Sequence, residues 1–503
     1  MPQQTIEREL KMGVWPGFVL PDLRGALNGA VPVGPIESRL EAVYFDTTGL
    51  RLLRRGVTLR FRRGEDPDDV WTAKLPDRAA VGLARREISV PGGSTSMPVF
   101  LEDLVRGWAL GAPLVPVARL RTLRQRTTLA HRDGKALAVV DDDEVSIVQR
   151  SRVAARFREL ELELVDGSSP KLLNRLAERM RSAGAQPVDQ MPKLVRALGP
   201  AALAPWDLEA PTLGSRLTAA EAIRAALIAA ATSLVDHLAA VVLDEDLEGV
   251  HRARVGVRRL RSDLKTAGPL LDAKAVRPLR RELAWILGEL GEVRDLDVLL
   301  VQLRADVESL DVADRGGAQA VLAKGTEDRA AAYERLRSNL RSQRCAALLE
   351  ETARLATDPP LKSKAASRPA KDVLPLLVRE PLREMRRERR KQGEAPDEQA
   401  LHRLRISVKR LRYATELSVP AVGKKARRAA AALAEVQDVL GEHNDACVAE
   451  ERLRSLGERT EGAGAWAAGL LGGLQLARGA EYRERLPSVW DKAAAPKRWR
   501  WLD

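Results

Sequence analysis

A chain of 503 residues is too long for one ordinary hydrophobic core, so two or three domains are expected. Its 30% charged and 45% hydrophobic residues suit soluble globular domains, and its two cysteines, Cys345 and Cys447, exclude a disulfide framework and point to a reducing compartment. The net charge of +13 argues for an anionic partner; residues 1–200 carry 31 Lys/Arg against 25 Asp/Glu and the remainder 52 against 45, so both halves are basic.

The first strand, Thr5 to Lys11, alternates, placing Glu7, Glu9 and Lys11 on one face and Ile6, Arg8 and Leu10 on the other. Two carboxylates and an ammonium at this spacing suit a hard divalent cation bound to a polyanion. Further strands follow at Val43–Asp46, Val57–Arg63 (Arg60 and Arg62 on one face), Val70–Leu75 (Thr72 with Lys74) and Arg85–Val90. A helical insertion is expected near Val99–Leu110. Leu120–Leu129 then puts Arg124 and Arg126 together, Ala136–Asp141 runs into a turn made of Asp142, Asp143 and Glu144, and Phe157–Leu164 sets Glu159, Glu161 and Glu163 against leucines. His131 reads as a surface or structural residue.

Basic residues thus gather on the middle strands and glutamates on the first and last. A sheet with one solvated face usually mixes the signs for cross-strand pairing. A closed antiparallel barrel with a charged interior, neutralised by metal and polyphosphate, explains the segregation better.

In this order, Glu7-x-Glu9-x-Lys11, Tyr44-Phe45-Asp46-Thr47, Leu59-Arg60-Phe61-Arg62, Lys74, Arg124/Arg126, Asp141 and Glu159-Leu-Glu161-Leu-Glu163 resemble the CYTH, or triphosphate tunnel metalloenzyme, superfamily over residues 3–197. The resemblance implies an eight-stranded antiparallel tunnel with flanking helices and Mg²⁺- or Mn²⁺-dependent cleavage of a triphosphate. By position, Glu7 and Glu9 would hold metal with one or two of Glu159, Glu161 and Glu163, with Asp141 as a further acidic contributor. Lys11, Arg60, Arg62, Lys74, Arg124 and Arg126 would clamp phosphate. The chemistry fits: a tripolyphosphate repels attacking water unless cations offset its charge.

Leu172–Ala183 reads as a helix closing a first domain at 1–199. Pro187, Pro192 and the Ala/Pro/Gly-rich run 198–213 read as a linker, assigned to 200–213. Ala219–Leu243 is the most apolar run, but Glu221, Arg224, Asp236 and His237 interrupt it, so it is expected to be a buried helix and not a membrane span. The first ten residues include Glu7 and Glu9 and no apolar run, so no secretory signal is expected.

From 214 to 503 the period is helical and the sequence repeats. His251-Arg-Ala-Arg254-Val-Gly-Val-Arg258-Arg259-Leu-Arg261 returns as His402-Arg-Leu-Arg405-Ile-Ser-Val-Lys409-Arg410-Leu-Arg412, 151 residues later. Leu290-Gly-Glu-Val-Arg-Asp295 returns as Leu440-Gly-Glu-His-Asn-Asp445, 150 later. Two ordered matches at nearly one offset identify a duplication, with copies at about 214–357 and 372–503. On a helix, His251, Arg254, Arg258, Arg261 and Lys265 fall within an arc of about 80°, as do His402, Arg405, Lys409 and Arg412, beside an apolar face. Asp295 and Asp445 suit the role of partners that orient the basic side chains.

This pair of helices resembles the CHAD family, an all-α domain of two four-helix repeats, and the resemblance implies that His251, Arg254, Arg258, Arg261, Lys265, His402, Arg405, Lys409 and Arg412 contact inorganic polyphosphate. Together the halves are expected to form a two-domain α+β protein, an inorganic triphosphatase acting on tripolyphosphate or short polyphosphate, cytoplasmic and associated with polyphosphate granules. The alternatives are a non-catalytic polyphosphate scaffold and a hydrolase of an organic triphosphate such as thiamine triphosphate. Nucleic acid is disfavoured, since only 4% of residues are aromatic and none interleave the basic stripes for stacking.

Overall fold

In the computed structural model, the described residues are 3–27, 29–64, 69–76, 84–93, 96–165, 168–187, 193–362, 364–393 and 396–502. The chain forms two compact units, Met1–Trp206 and Asp207–Asp503.

The first unit carries nine described strands: β1 (Gln3–Val14), β2 (Ala30–Asp46), β3 (Thr58–Arg63), β4 (Val70–Pro76), β5 (Ala84–Pro91), β6 (Val115–His131), β7 (Ala136–Gln149), β8 (Arg152–Leu164) and β9 (Gln186–Pro187). Four helices accompany them: α1 (Arg51–Arg54), α2 (Val99–Val105), α3 (Pro170–Ser182) and α4 (Lys193–Leu198). The sheet order is β5-β4-β3-β2-β6-β7-β8-β1-β9, and every ladder is antiparallel. β1 changes partner halfway along. Its residues Gln3–Arg8 pair with β5 and Glu9–Val14 with β8, so the two ends of the order meet through successive halves of one strand rather than along a common length.

The alternation of each strand decides what lies on its two faces. On the apolar face, Met12, Leu129, Val140, Leu160 and Leu162 pack under Leu176, Ala177 and Met180 of α3 and under Phe18, Leu23 and Leu27 of the β1–β2 connection. Farther round, Phe45, Phe61 and Trp71 stack with ring centroids 5.0 and 5.4 Å apart. After β2 the carboxylate of Asp46 accepts hydrogen bonds from the backbone N–H groups of Thr47, Leu52 and Leu53, which fixes the turn into α1.

Three expectations are corrected here. Asp142 and Asp143 are not turn residues: β7 continues to Gln149, since Val145, Ile147 and their partners on β6 and β8 keep the two-residue alternation beyond the acidic run. The described sheet has nine strands, not eight. Pro187 is not linker either, because β9 pairs with β1, and α4, which begins at Lys193, packs Leu194 and Val195 among Tyr44, Leu120 and Ile147; Pro192 lies outside the described residues.

The second unit is helical: α5 (Ala219–Leu243), α6 (Glu248–Thr266), α7 (Ala273–Ser309), α8 (Val312–Arg341), α9 (Gln343–Thr357), α10 (Ala370–Lys391), α11 (Glu398–Leu417), α12 (Val419–Val422), α13 (Lys424–Glu458) and α14 (Ala463–Ala494). Helix α5 is long and apolar enough to cross a membrane by length and composition, but it packs on α6, α9 and α10 with Ile223, Leu227, Leu234 and Leu238 buried. The first copy is not a plain four-helix repeat. Ser342 ends α8 and caps a fifth helix, α9, by accepting from the Cys345 N–H. The copies join through α6 against α11 and through a core in which Leu299, Leu303 and Val321 of α7 and α8 meet Leu453, Leu456 and Leu471 of α13 and α14.

Candidate functional sites

The charged sheet face gathers nearly every residue singled out in the first half. On β8 and β1, Lys11 stands between two carboxylates, donating to Glu161 with Glu9 at 3.5 Å. Burial would weaken this ammonium, yet Glu161, Glu9 and Glu159 hold its pKa well above the usual lysine value. Glu161 is correspondingly held well below the carboxylate range by Lys11, Lys193 and Arg124, against the effect of its burial. Arg124 is sunk among acids: it grips Asp143 with two parallel hydrogen bonds of 2.8 and 2.7 Å and reaches Asp141 and Glu161 at 2.7 Å each. Arg126 forks onto Asp141 at 2.8 and 2.7 Å.

Across the sheet, Lys74 lies 3.2 Å from Glu87, and Arg60 and Arg62 act on the same carboxylate. Tyr44 joins the acidic and basic sides: its hydroxyl is buried, but Arg60, Lys193 and Lys11 bring its pKa below the usual phenol value. Glu7 lies in β1 opposite Arg85, and its side chain falls outside the described residues.

Lys193 and Arg196, carried in by α4, were not found by sequence reasoning. Lys193 donates to Asp143 and stands 3.6 Å from Glu159 and 3.5 Å from Glu161, while Arg196 is 3.3 Å from Glu159. The only available signal was Pro192 ahead of a short amphipathic run, which reads equally well as linker. Asp143 and Glu87 were missed for a different reason. One was assigned to a turn, and the other sits on a strand with arginines on both faces.

Whether these donors suit a divalent cation can be judged from the carboxylates. Both oxygens of Glu159 are buried and accept no hydrogen bond, and burial raises its pKa despite Lys193. Glu9 and Glu163 are direct cross-strand partners on one face, with the Lys11 ammonium 3.5 Å from Glu9. Hard carboxylate oxygens with one orphaned member fit Mg²⁺ or Mn²⁺ chemically. Among the described residues no three acidic, histidine or cysteine side chains stand together at ligating geometry.

In the second unit the duplicated helices meet as the repeat predicts. A groove of about 340 Å³ is lined by His251, Arg254 and Arg258 of α6, Arg405 and Lys409 of α11, Arg294 and Asp295 of α7, and Asn444, Asp445 and Arg452 of α13. The pseudo-equivalent pairs are both present: Arg254 lies 3.4 Å from Asp295 and Arg405 lies 3.8 Å from Asp445.

The remaining basic positions lie elsewhere. His402 bonds Asn444 at 3.1 Å and lines a neighbouring groove. Arg261 and Lys265 lie further along α6, beside Arg280 and, for Lys265, Arg410. Arg412 is drawn aside, its Nε 2.8 Å from Glu416, which also receives Arg259. The expected stripe is therefore continuous in sequence, but only His251, Arg254 and Arg258 of α6 and Arg405 and Lys409 of α11 line this groove.

Comparison with known proteins agrees with both halves. Residues 6–195 match the CYTH domain and residues 225–454 the CHAD domain. An uncharacterized protein of Mycobacterium tuberculosis, MT2285, is 30% identical over 499 residues, covering 93% of each chain. Among solved structures, the CHAD domain of the plant Ricinus communis is similar over 58% of this chain and 97% of its own, at 28% identity and TM-score 0.47. PptA from Streptomyces chartreusis is similar over 55% and 100%, at 22% identity and TM-score 0.46. The chain belongs to the family of proteins that join an N-terminal CYTH domain to a C-terminal CHAD domain.

Proposed function

We propose that the first unit hydrolyses a phosphoanhydride bond of inorganic tripolyphosphate or a short polyphosphate, and that the α6/α11 groove of the second binds polyphosphate. The observation that carries the reading is the division of the charged sheet face. Glu159, with two buried and unbonded oxygens, stands with Glu9, Glu161 and Glu163 on one side, and Arg60, Arg62 and Lys74 stand on the other. Such a face is suited to a ligand that is itself a metal–polyanion pair.

Glu9 and Glu163, direct cross-strand partners, would hold the divalent metal. When bound, that metal would supply charge neutralisation of the phosphate and a lowered pKa for a coordinated water. The chain's own residues do the rest. Arg60, Arg62 and Lys74 bind the non-bridging oxygens and orient the chain for in-line attack; they offset charge on the departing phosphate without reorganising. Lys11 is held protonated by its three glutamates and presents a fixed ammonium to the phosphate. Arg124 spends its donors on Asp141, Asp143 and Glu161, so its part is to hold the acidic wall in place. The cytoplasm, where polyphosphate accumulates in granules, is the proposed setting.

The test is phosphate release from tripolyphosphate by the full chain, with and without Mg²⁺ or Mn²⁺, beside Glu9→Gln. Metal-dependent release that the variant loses is the expected result. Binding of polyphosphate without any release would overturn the hydrolase and leave a scaffold, and release from thiamine triphosphate alone would move the substrate to the organic class.

A further inference from the structure

Of the basic residues that line the groove from both copies, Arg254 is matched by Arg405, but Arg258 is matched by a lysine. Where α6 carries Arg258, α11 carries Lys409, 151 residues later, and both side chains line the same groove. We propose that Lys409 is a proton-coupled contact of this groove: it sheds its proton in the empty protein and takes one up at Nζ when a phosphate chain binds, so that binding weakens as pH rises above neutrality. The inference rests on the polyphosphate reading of the groove and goes beyond it in assigning a regulation.

Arg254 and Arg258 approach Lys409 from α6, Arg405 flanks it on its own helix, and Arg294 and Arg452 face the cavity from α7 and α13. The nearby carboxylates are spent on other residues: Asp295 on Arg254, Asp445 on Arg405, and Glu292 of α7 on Arg452 at 3.2 Å. From α10, Glu384 faces Arg410 and Glu388 faces Arg403 and Lys391. Helix α12 brings no charged residue, and none of those on α5 is among the groups that act most on Lys409. Among the described residues Lys409 forms no ion pair.

A guanidinium keeps its proton under any such pressure, whereas an amine can release one. Among arginines crowded around one lysine, the lysine is therefore the group that relieves the repulsion. Burial first, then Arg405, Arg258 and Arg254, bring the Lys409 ammonium down to about 7. A polyanion laid across the cluster supplies the missing counter-charge and restores the ordinary preference for the charged form. A proton then moves from solvent to Nζ, and the bound state holds one more proton than the free state. His251 lines the same groove, but burial lowers its pKa below the usual histidine value, so it titrates on the acid side of this window.

The experiment is titration calorimetry of the full chain with long-chain inorganic polyphosphate, whose interior phosphates do not titrate near neutrality. It is run at pH 7 to 9 in two non-phosphate buffers of different ionisation enthalpy. The wild type is expected to take up close to one proton at pH 8 and to lose about tenfold in affinity per pH unit above 7. Lys409→Arg, which keeps the charge and cannot release a proton, is expected to bind at pH 6 within about threefold of wild type, with no uptake and a flat profile to pH 9. Lys409→Met should fall furthest behind the wild type at pH 6, with the gap narrowing towards pH 9. Unchanged uptake in Lys409→Arg, or pH-independent wild-type affinity, would overturn the proton coupling and leave the polyphosphate groove standing. Absence of wild-type binding at every pH would overturn both.

Discussion

Arg124 and Asp143 form a two-pronged pair at the bottom of the charged sheet face, Nε to Oδ1 at 2.8 Å and Nη2 to Oδ2 at 2.7 Å, where Asp143 has no exposed surface. A second donor, Lys193, closes on the same carboxylate from α4. The pair matters less for its own strength than for what it compensates: Asp141, Asp143 and Glu161 all lean on one guanidinium. Removing Arg124 would leave three buried carboxylates short of a cation. Arg124→Leu is expected to lower unfolding stability by about 3–5 kcal/mol, and Arg124→Lys to recover only part, since an ammonium cannot fork. Denaturant midpoints of the three proteins check this; a loss below about 1 kcal/mol would mean the acids are protonated rather than paired.

Glu159→Gln should separate the deep end of the acidic wall from substrate holding. The substitution removes the buried charge beside Lys193 and Arg196 and leaves Arg60, Arg62 and Lys74 untouched. Phosphate release should fall by about 100-fold or more, with tripolyphosphate binding in the absence of metal unchanged or tighter. Loss of binding instead, with the metal requirement intact, would assign Glu159 to the scaffold of the sheet.

Asp263 gives a pH dependence of opposite sign to the usual surface carboxylate. Burial pushes it up to about 6 from 3.8, against Arg259 at 2.8 Å, and its Oδ1 is buried without a hydrogen bond. The folded protein therefore keeps a proton that the unfolded chain releases at lower pH. The contribution is neutral below about pH 4 and turns into a penalty growing to about 3 kcal/mol as pH rises through 6. Asp263→Asn leaves Arg259 its contact with Glu416. Its stability relative to wild type should rise between pH 4 and 6 and level off above; parallel curves for the two proteins would contradict the assignment.

Gly256 and Ser407 occupy the same position in the two copies, yet only the first is forced to be small. A Cβ on Gly256 would stand 2.6 Å from the backbone nitrogen of Leu234, where α5 and α6 touch. Ser407 instead has room to donate to the Leu404 carbonyl at 2.8 Å. Gly256→Val should cost about 3 kcal/mol and Ser407→Gly no more than about 1 kcal/mol, read from thermal unfolding of each variant. Equal losses would show that the copies pack alike at this crossing.

The domain pair, the charged strands and the duplicated basic helices are all legible in the sequence, because alternation and a repeated block are local or internal signals that survive without coordinates. The pairs Arg254–Asp295 and Arg405–Asp445 follow from the repeat in the same way: each copy carries its own arginine and its own acid at a fixed spacing. Tertiary structure alone decided which charges meet. Lys193 comes to Asp143 from 50 residues away on the short helix α4, Arg412 leaves the stripe for Glu416, and Asp143 becomes the anchor of the acidic wall through partners on two other elements. Periodicity tells which face a side chain takes. What it meets there depends on strands and helices brought together by packing, and a buried charge has its properties set by those neighbours rather than by its place in the chain.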